Sequence, residues 1–126
     1  MSDEVRVRSV TGGEKGMKPQ RFDLVPPLPL MQLAELYGRG AEKYADNNWR
    51  RGYDWSLAFA ALNRHLWAFW NGEDMDEGTG MPHMTCVAFH AFTLSQFMSD
   101  QRQFDDRPTT AHIEREQAHE WREAQT

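Results

Sequence analysis

The chain has one cysteine, Cys86, so no disulfide can form within it and packing alone must hold the fold. It has no apolar run near the ~20 residues that a membrane-spanning helix needs. Residues 1–10, MSDEVRVRSV, carry no apolar stretch of the kind found in secretory leaders, and the cytoplasm is the expected compartment. A basic surplus is also missing: 14 Lys and Arg stand against 19 Asp and Glu, for a net charge of −5. That balance excludes the broad positive surface a nucleic-acid polymer requires. A single nucleotide stays within reach, because a few placed cations or a metal ion can neutralise it. The sequence contains no glycine-rich loop ending in Lys-Ser/Thr, no GxGxxG and no serine nucleophile elbow, which removes kinase, Rossmann and serine-hydrolase chemistry. Internal repeats and low-complexity tracts are absent too.

What is present is bulky. Five Trp, seven Phe, three Tyr and seven Met occur in 126 residues, although 26% of residues are charged and mean hydropathy is −0.76. A chain of this length makes one domain and buries roughly two-thirds of the surface its unfolded form exposes. Residues 1–27 read as an irregular arm rich in Gly, Pro and charge, with VRVRSV able to form a short strand. Residues 28–99 read as a helical core and 100–126 as a polar linker with a peripheral helix. Within the core, Leu30, Leu33, Ala34, Tyr37, Ala41 and Tyr44 recur at helical spacing from about Pro29 to Tyr44. Gly38 and Gly40 interrupt that helix, each at a cost of about 1 kcal/mol relative to Ala, and predict a close approach to the backbone.

A second helix is predicted from an Asp54 cap to Asn71, stopped by Gly72. Trp55, Ala58, Phe59, Leu62, Leu66 and Phe69 form its main stripe, with Leu57, Ala60 and Trp67 opposite; a helix apolar all round is expected to be buried. Pro82 opens a third helix running to about Ser99, and Thr110 caps a fourth to about Ala124, anchored by Ile113 and Trp121. Helices apolar on every side exceed what one small protomer can cover, so a homodimer or homotetramer is expected.

Residues 40–83 concentrate the polar chemistry. Arg64 shares a helix face with Leu57, Ala60 and Trp67. A guanidinium buried there needs an anion, either a structural carboxylate or a phosphate gripped at two points. His83, Cys86 and His90 fall on one face of the third helix at offsets of three and seven. An antiparallel hairpin would set His65 level with residues 86–90, as a candidate site or as a polar seam. Glu73, Asp74, Asp76 and Glu77 crowd one loop, which is either a solvated turn or a hard-cation site. Glu35 and Glu42 lie outside the apolar stripe and read as a solvated flank. Lys43 either is solvated or meets phosphate near Asn48 and Trp49, which offer an edge-reading amide and a stacking face. Lys18 and Arg21 add charge from the arm, unless Asp23 next to them simply pairs locally.

The ordered series RFDLVPP, YGRGAEKYADNNWRRGYDW, RHLWAFWNGEDMD and TGMPH, within residues 16–99, resembles the phage-type dATP/dGTP pyrophosphohydrolases. These are relatives of the all-α nucleoside triphosphate pyrophosphatases of MazG type. The resemblance implies an all-α, four-helix, oligomeric enzyme with an irregular N-terminal arm. It would use Mg²⁺ or Mn²⁺ to cleave purine deoxynucleoside triphosphates to the monophosphate and pyrophosphate. In a phage setting the compartment would be the host cytoplasm. It further implies substrate binding by Lys43, Asn48, Trp49 and Arg64, to which the arm would add Lys18 and Arg21, catalysis by His65, Glu73, Asp76 and His83, and a metal shell of Glu73, Asp76 and His83. This chain departs from the pattern at Cys86, where a second histidine is expected, and at His90, where a smaller amide is usual. Two rival readings accompany it: a non-catalytic nucleotide-binding or helical assembly module, and a zinc phosphohydrolase using His65, Cys86 and His90.

Overall fold

The computed structural model describes residues 5–125. It is mostly helical, with four α-helices and two small two-stranded sheets. The arm is more ordered than its composition predicts. Strand β1 (Val5–Arg8) pairs antiparallel with β2 (Glu14–Met17), Val5 opposite Met17 and Arg8 opposite Glu14. Gly12, at φ +91°, lets the chain reverse, and Ser9 N–H donates to the Gly13 carbonyl at 2.7 Å. Outside this hairpin, residues 22–24 make a short 3₁₀ turn.

Helix α1 (Pro27–Lys43) begins two residues earlier than the spacing predicts, because prolines are tolerated in a first turn whose N–H groups have no intrahelical partner. Its inward side runs through Leu33, Leu36, Tyr37, Gly40 and Ala41, with Leu36 the buried residue. The predicted stripe was offset from this: Leu30 and Tyr44 are exposed. Tyr37 fixes the helix against the later core, its hydroxyl 2.6 Å from Thr93 Oγ1 and its ring 4.4 Å from that of Phe89.

Helix α2 (Trp55–Trp70) stops as predicted, with Asn71 as C-cap and Gly72 at φ +102°. Its start departs from prediction. Asp54 makes no side-chain cap; Asp106, fifty residues on, accepts from Ser56 N–H at 2.9 Å and from Ser56 Oγ at 2.5 Å. The same 100–107 segment accepts the Trp55 indole N–H at the Gln101 carbonyl, 3.2 Å away, and sets the guanidinium groups of Arg102 and Arg107 over the Trp55 ring. Gly52, at φ +86°, lies so close that an added Cβ would sit 2.4 Å from the Phe104 ring. Within the protomer only one side of α2 is covered: Trp55 and Ala58 are buried, whereas Trp67 is 59% and Trp70 76% exposed. The expectation of a helix buried all round is corrected for the single chain.

The acidic loop folds into a miniature hairpin, β3 (Met75–Asp76) against β4 (Met81–Pro82). Helix α3 (His83–Asp100) follows, with Pro82 just before it instead of inside its first turn. α3 packs on both α1 and α2. Leu36, Met81 and Cys86 form one apolar centre with Phe89 against it; Phe97, fully buried, meets Tyr53 and Trp49 at ring separations of 5.1 and 6.2 Å. Helix α4 (Thr110–Ala124) is capped by Thr109, whose hydroxyl accepts from His112 N–H, and not by Thr110. Its predicted anchors Ile113 and Trp121 are exposed, so the packed part of the protomer is α1, α2 and α3. No helix among the described residues is long and apolar enough to cross a membrane.

Candidate active site

Three elements bring the polar residues together. The inner side of α2 carries His65, one face of α3 carries His83, Cys86 and His90, and the β3–β4 hairpin folds Asp76 over both. His65 Nδ1 and His83 Nδ1 are 3.0 Å apart, so one ring donates and the other accepts. The His90 ring stacks on His65 at 6.0 Å, and its own Nδ1 is buried without a hydrogen-bond partner among the described residues. Potential ligand atoms of His65, Asp76 and Cys86 all lie within 4.8 Å of one another. The antiparallel pairing read from the sequence therefore places His65 where expected.

Electrostatics favour the neutral forms of His65 and His90 and the ionised form of Asp76. Burial pushes His65 down, with only partial opposition from the Asp76 charge, and burial with the nearby charges of His65 and Arg64 takes His90 to about 4. Both imidazoles are thus neutral at pH 7. Burial also works against ionising Asp76, but hydrogen bonds from Thr79 and the charges of His65 and His83 outweigh it and hold the carboxyl below its ordinary range. Thr79 donates to Asp76 Oδ2 through its N–H at 2.9 Å and its hydroxyl at 2.7 Å; the same hydroxyl lies 3.5 Å from Cys86 Sγ. Burial raises the Cys86 thiol.

Beside this cluster, and sharing His90 with it, opens a cleft of about 950 Å³. Tyr37, Gly38 and Gly40 from α1 line one side, Asn48, Trp49, Arg50 and Tyr53 another, and Phe89 and Phe92 the α3 side. The close approach predicted at Gly38 and Gly40 is not made by the chain itself: a Cβ at either would meet nothing within 4 Å. Asn48 and Trp49 reach the cleft as the sequence suggests. The guanidinium of Arg50 sits 4.6 Å from the Trp49 ring centroid and donates to Asn47 Oδ1 at 2.8 Å.

Other predicted residues lie elsewhere. Arg64 is exposed on the outer side of α2, which corrects the expectation of a buried guanidinium; its charge still bears on His65 and His90. Lys43 is exposed at the end of α1, its Nζ 5.1 Å from the Tyr44 ring, and Lys18 is exposed on the arm. Arg21 is paired at two points with Asp23, at 2.8 and 2.7 Å. Glu73 is exposed just past α2 and, like His83, stands outside the His65, Asp76 and Cys86 group. Sequence reasoning passed over Thr79, Arg50 and Arg39. Arg39 donates to the Thr79 carbonyl and, at 2.8 Å, to Glu35, tying α1 to the acidic loop. The signals were the Thr-Gly turn before GMPH and the arginine next to Trp49.

Residues 9–107 match the family model described as dATP/dGTP diphosphohydrolase, N-terminal. Among curated proteins and solved structures, nothing matches the chain.

Proposed function

The chain belongs to the dATP/dGTP diphosphohydrolase family, and on that premise we propose that it hydrolyses purine deoxynucleoside triphosphates to the monophosphate and pyrophosphate. The observation that carries the reading is the meeting, at His90, of an aromatic and amide-lined cleft with a carboxylate–imidazole cluster. The cleft has the size of a small-molecule site and the cluster has groups for water activation.

In this scheme Trp49 gives the base an aromatic surface and Asn48 an amide for its edge. Arg50 and Lys43 meet the phosphates, joined by Arg64, Lys18 and Arg21 as the substrate draws them in. A water oxygen attacks the α phosphorus while the bond from that phosphorus to the bridging α–β oxygen breaks, and the electron pair leaves with pyrophosphate. The proton of the water passes to His65 or His83, whose shared hydrogen bond leaves one imidazole nitrogen lone pair to receive it.

A divalent cation, Mg²⁺ or Mn²⁺, belongs to this proposal. The groups that would hold it are Asp76, kept ionised by its Thr79 bonds, and Glu73, whose oxygen donors come from the same loop. When bound, the cation would polarise the α phosphate and acidify water.

Incubation of the chain with each dNTP and Mn²⁺, with products separated by chromatography, tests the proposal. dATP and dGTP should yield monophosphate and pyrophosphate, and dCTP far less. Equal rates on dCTP and dATP would remove the base-reading role of Trp49 and Asn48. The exposed α2 face supports a second reading, an assembly module: Leu57, Trp67 and Trp70 form an apolar surface suited to a homodimer or homotetramer. Nucleotide binding without turnover on any dNTP would favour it.

A further inference from the structure

The donors gathered most closely around Asp76 are not those a hard cation selects. We propose that His65, Asp76 and Cys86 bind a resident divalent ion of the zinc class, distinct from the Mg²⁺ or Mn²⁺ that accompanies the triphosphate; the two would share Asp76, one carboxylate oxygen to each, and where the zinc-class ion is bound its water would take the place of the imidazole base. This assignment goes beyond the hydrolase reading and does not depend on it.

The argument begins with geometry. A tetrahedral zinc site has bonds of about 2.0 Å to N and O and about 2.3 Å to S, which sets neighbouring ligand atoms roughly 3.3–3.6 Å apart. The three ligand atoms here already lie within 4.8 Å of one another, so side-chain adjustments alone close the site. They come from α2, β3 and α3, elements fixed by the core, which keeps the ordering cost of binding low.

Charge and softness point the same way. A neutral imidazole, a carboxylate and a thiolate together offset the +2 charge, and thiolate with imidazole favours zinc-class ions over magnesium. The buried thiol would ionise on binding, its proton passing to solvent. Supporting contacts are in place: Thr79 orients Asp76 through two bonds, and His83 holds the His65 ring. His90 brings another buried, unpartnered imidazole nitrogen to the seam. Three protein ligands leave a fourth position for water, as in sites that do chemistry.

Titration of the full chain with Co²⁺, without nucleotide, tests the assignment. One equivalent should bind with a near-ultraviolet thiolate-to-cobalt charge-transfer band; Zn²⁺ should displace it and a large excess of Mg²⁺ should not. Cys86→Ser should abolish the band and weaken binding beyond the ~10–100-fold typical of losing a supporting contact, whereas Thr79→Val should fall within that range. Zinc-edge X-ray absorption of the unaltered chain should show one sulfur neighbour at about 2.3 Å, a readout independent of any variant's folding. Absence of a sulfur neighbour, a band that survives Cys86→Ser, or equal competition by Mg²⁺ would overturn the proposal and leave the cluster a hydrogen-bonded seam. Because no nucleotide is present, none of these outcomes depends on whether the chain hydrolyses dNTPs.

Discussion

Asp106→Ala should destabilise the protein although the residue lies thirty-six positions beyond the end of the helix it caps. The carboxylate satisfies Ser56 N–H, one of the first-turn donors of α2, and also holds the Ser56 hydroxyl. Removing a capping side chain costs about 0.5–2 kcal/mol, and half-exposure at the surface keeps the charged bonds from exceeding that. For a domain of this size the loss corresponds to a fall in Tm of roughly 2–10 °C. Asp54→Ala, at the residue that the sequence nominates as the cap, should change stability by less than ~0.5 kcal/mol. The contribution also has a pH signature. Hydrogen bonds from Ser56 lower the Asp106 pKa in the folded state, so its contribution is full above the unfolded carboxyl value and fades as pH falls through the folded one. Thermal melts of both variants at pH 7 and near pH 2 are the assay: the deficit of Asp106→Ala should shrink in acid. A costly Asp54→Ala with a silent Asp106→Ala would refute the capping scheme.

Three further outcomes are expected. Asp76→Asn should lower dNTP turnover by orders of magnitude while moving Tm by only a few degrees, because Thr79 can still donate to the amide oxygen; near-normal turnover at low Mn²⁺ would make Asp76 a turn residue alone. Arg64→Lys should leave Tm and elution volume unchanged, since the guanidinium is exposed, and reduce activity through loss of its forked geometry; a large drop in Tm would restore the structural reading. Gly52→Ala should cost about 2–4 kcal/mol in chemical denaturation, from positive-φ strain together with overlap on Phe104, and a neutral result would contradict that packing.

The features legible in the sequence were those with short-range causes. Gly72 ends α2 because a left-handed residue is needed there, and the offsets of His83, Cys86 and His90 set them on one face whatever lies opposite. What depended on distant partners was not legible. Asp54 and Asp106 are equally good acceptors, and only the return of the 100–107 segment decides between them. The α1 stripe turned toward Leu36 because α3 packs against that side. Arg64 sits among apolar residues in sequence, yet that side of α2 is bare in the protomer, so burial inferred from neighbours did not follow. Thr79 stands in a Thr-Gly turn that the sequence does show, but its importance comes from the fold of that turn, which aims both its donors at one carboxylate oxygen.

The clasp formed by residues 100–107 also has a mechanical consequence. Helices α2 and α3 are joined covalently at one end by the acidic loop and tied at the other by the Trp55–Gln101 and Ser56–Asp106 bonds. A pair of rods pinned at both ends resists splaying, so the stretch between the pins that carries His65 and Cys86, nearer the loop, is braced against shear. Helix α1, secured by side-chain bonds at Tyr37 and Arg39, lacks such a double pin. The histidine seam thereby forms the braced wall of the cleft and α1 its less tethered one.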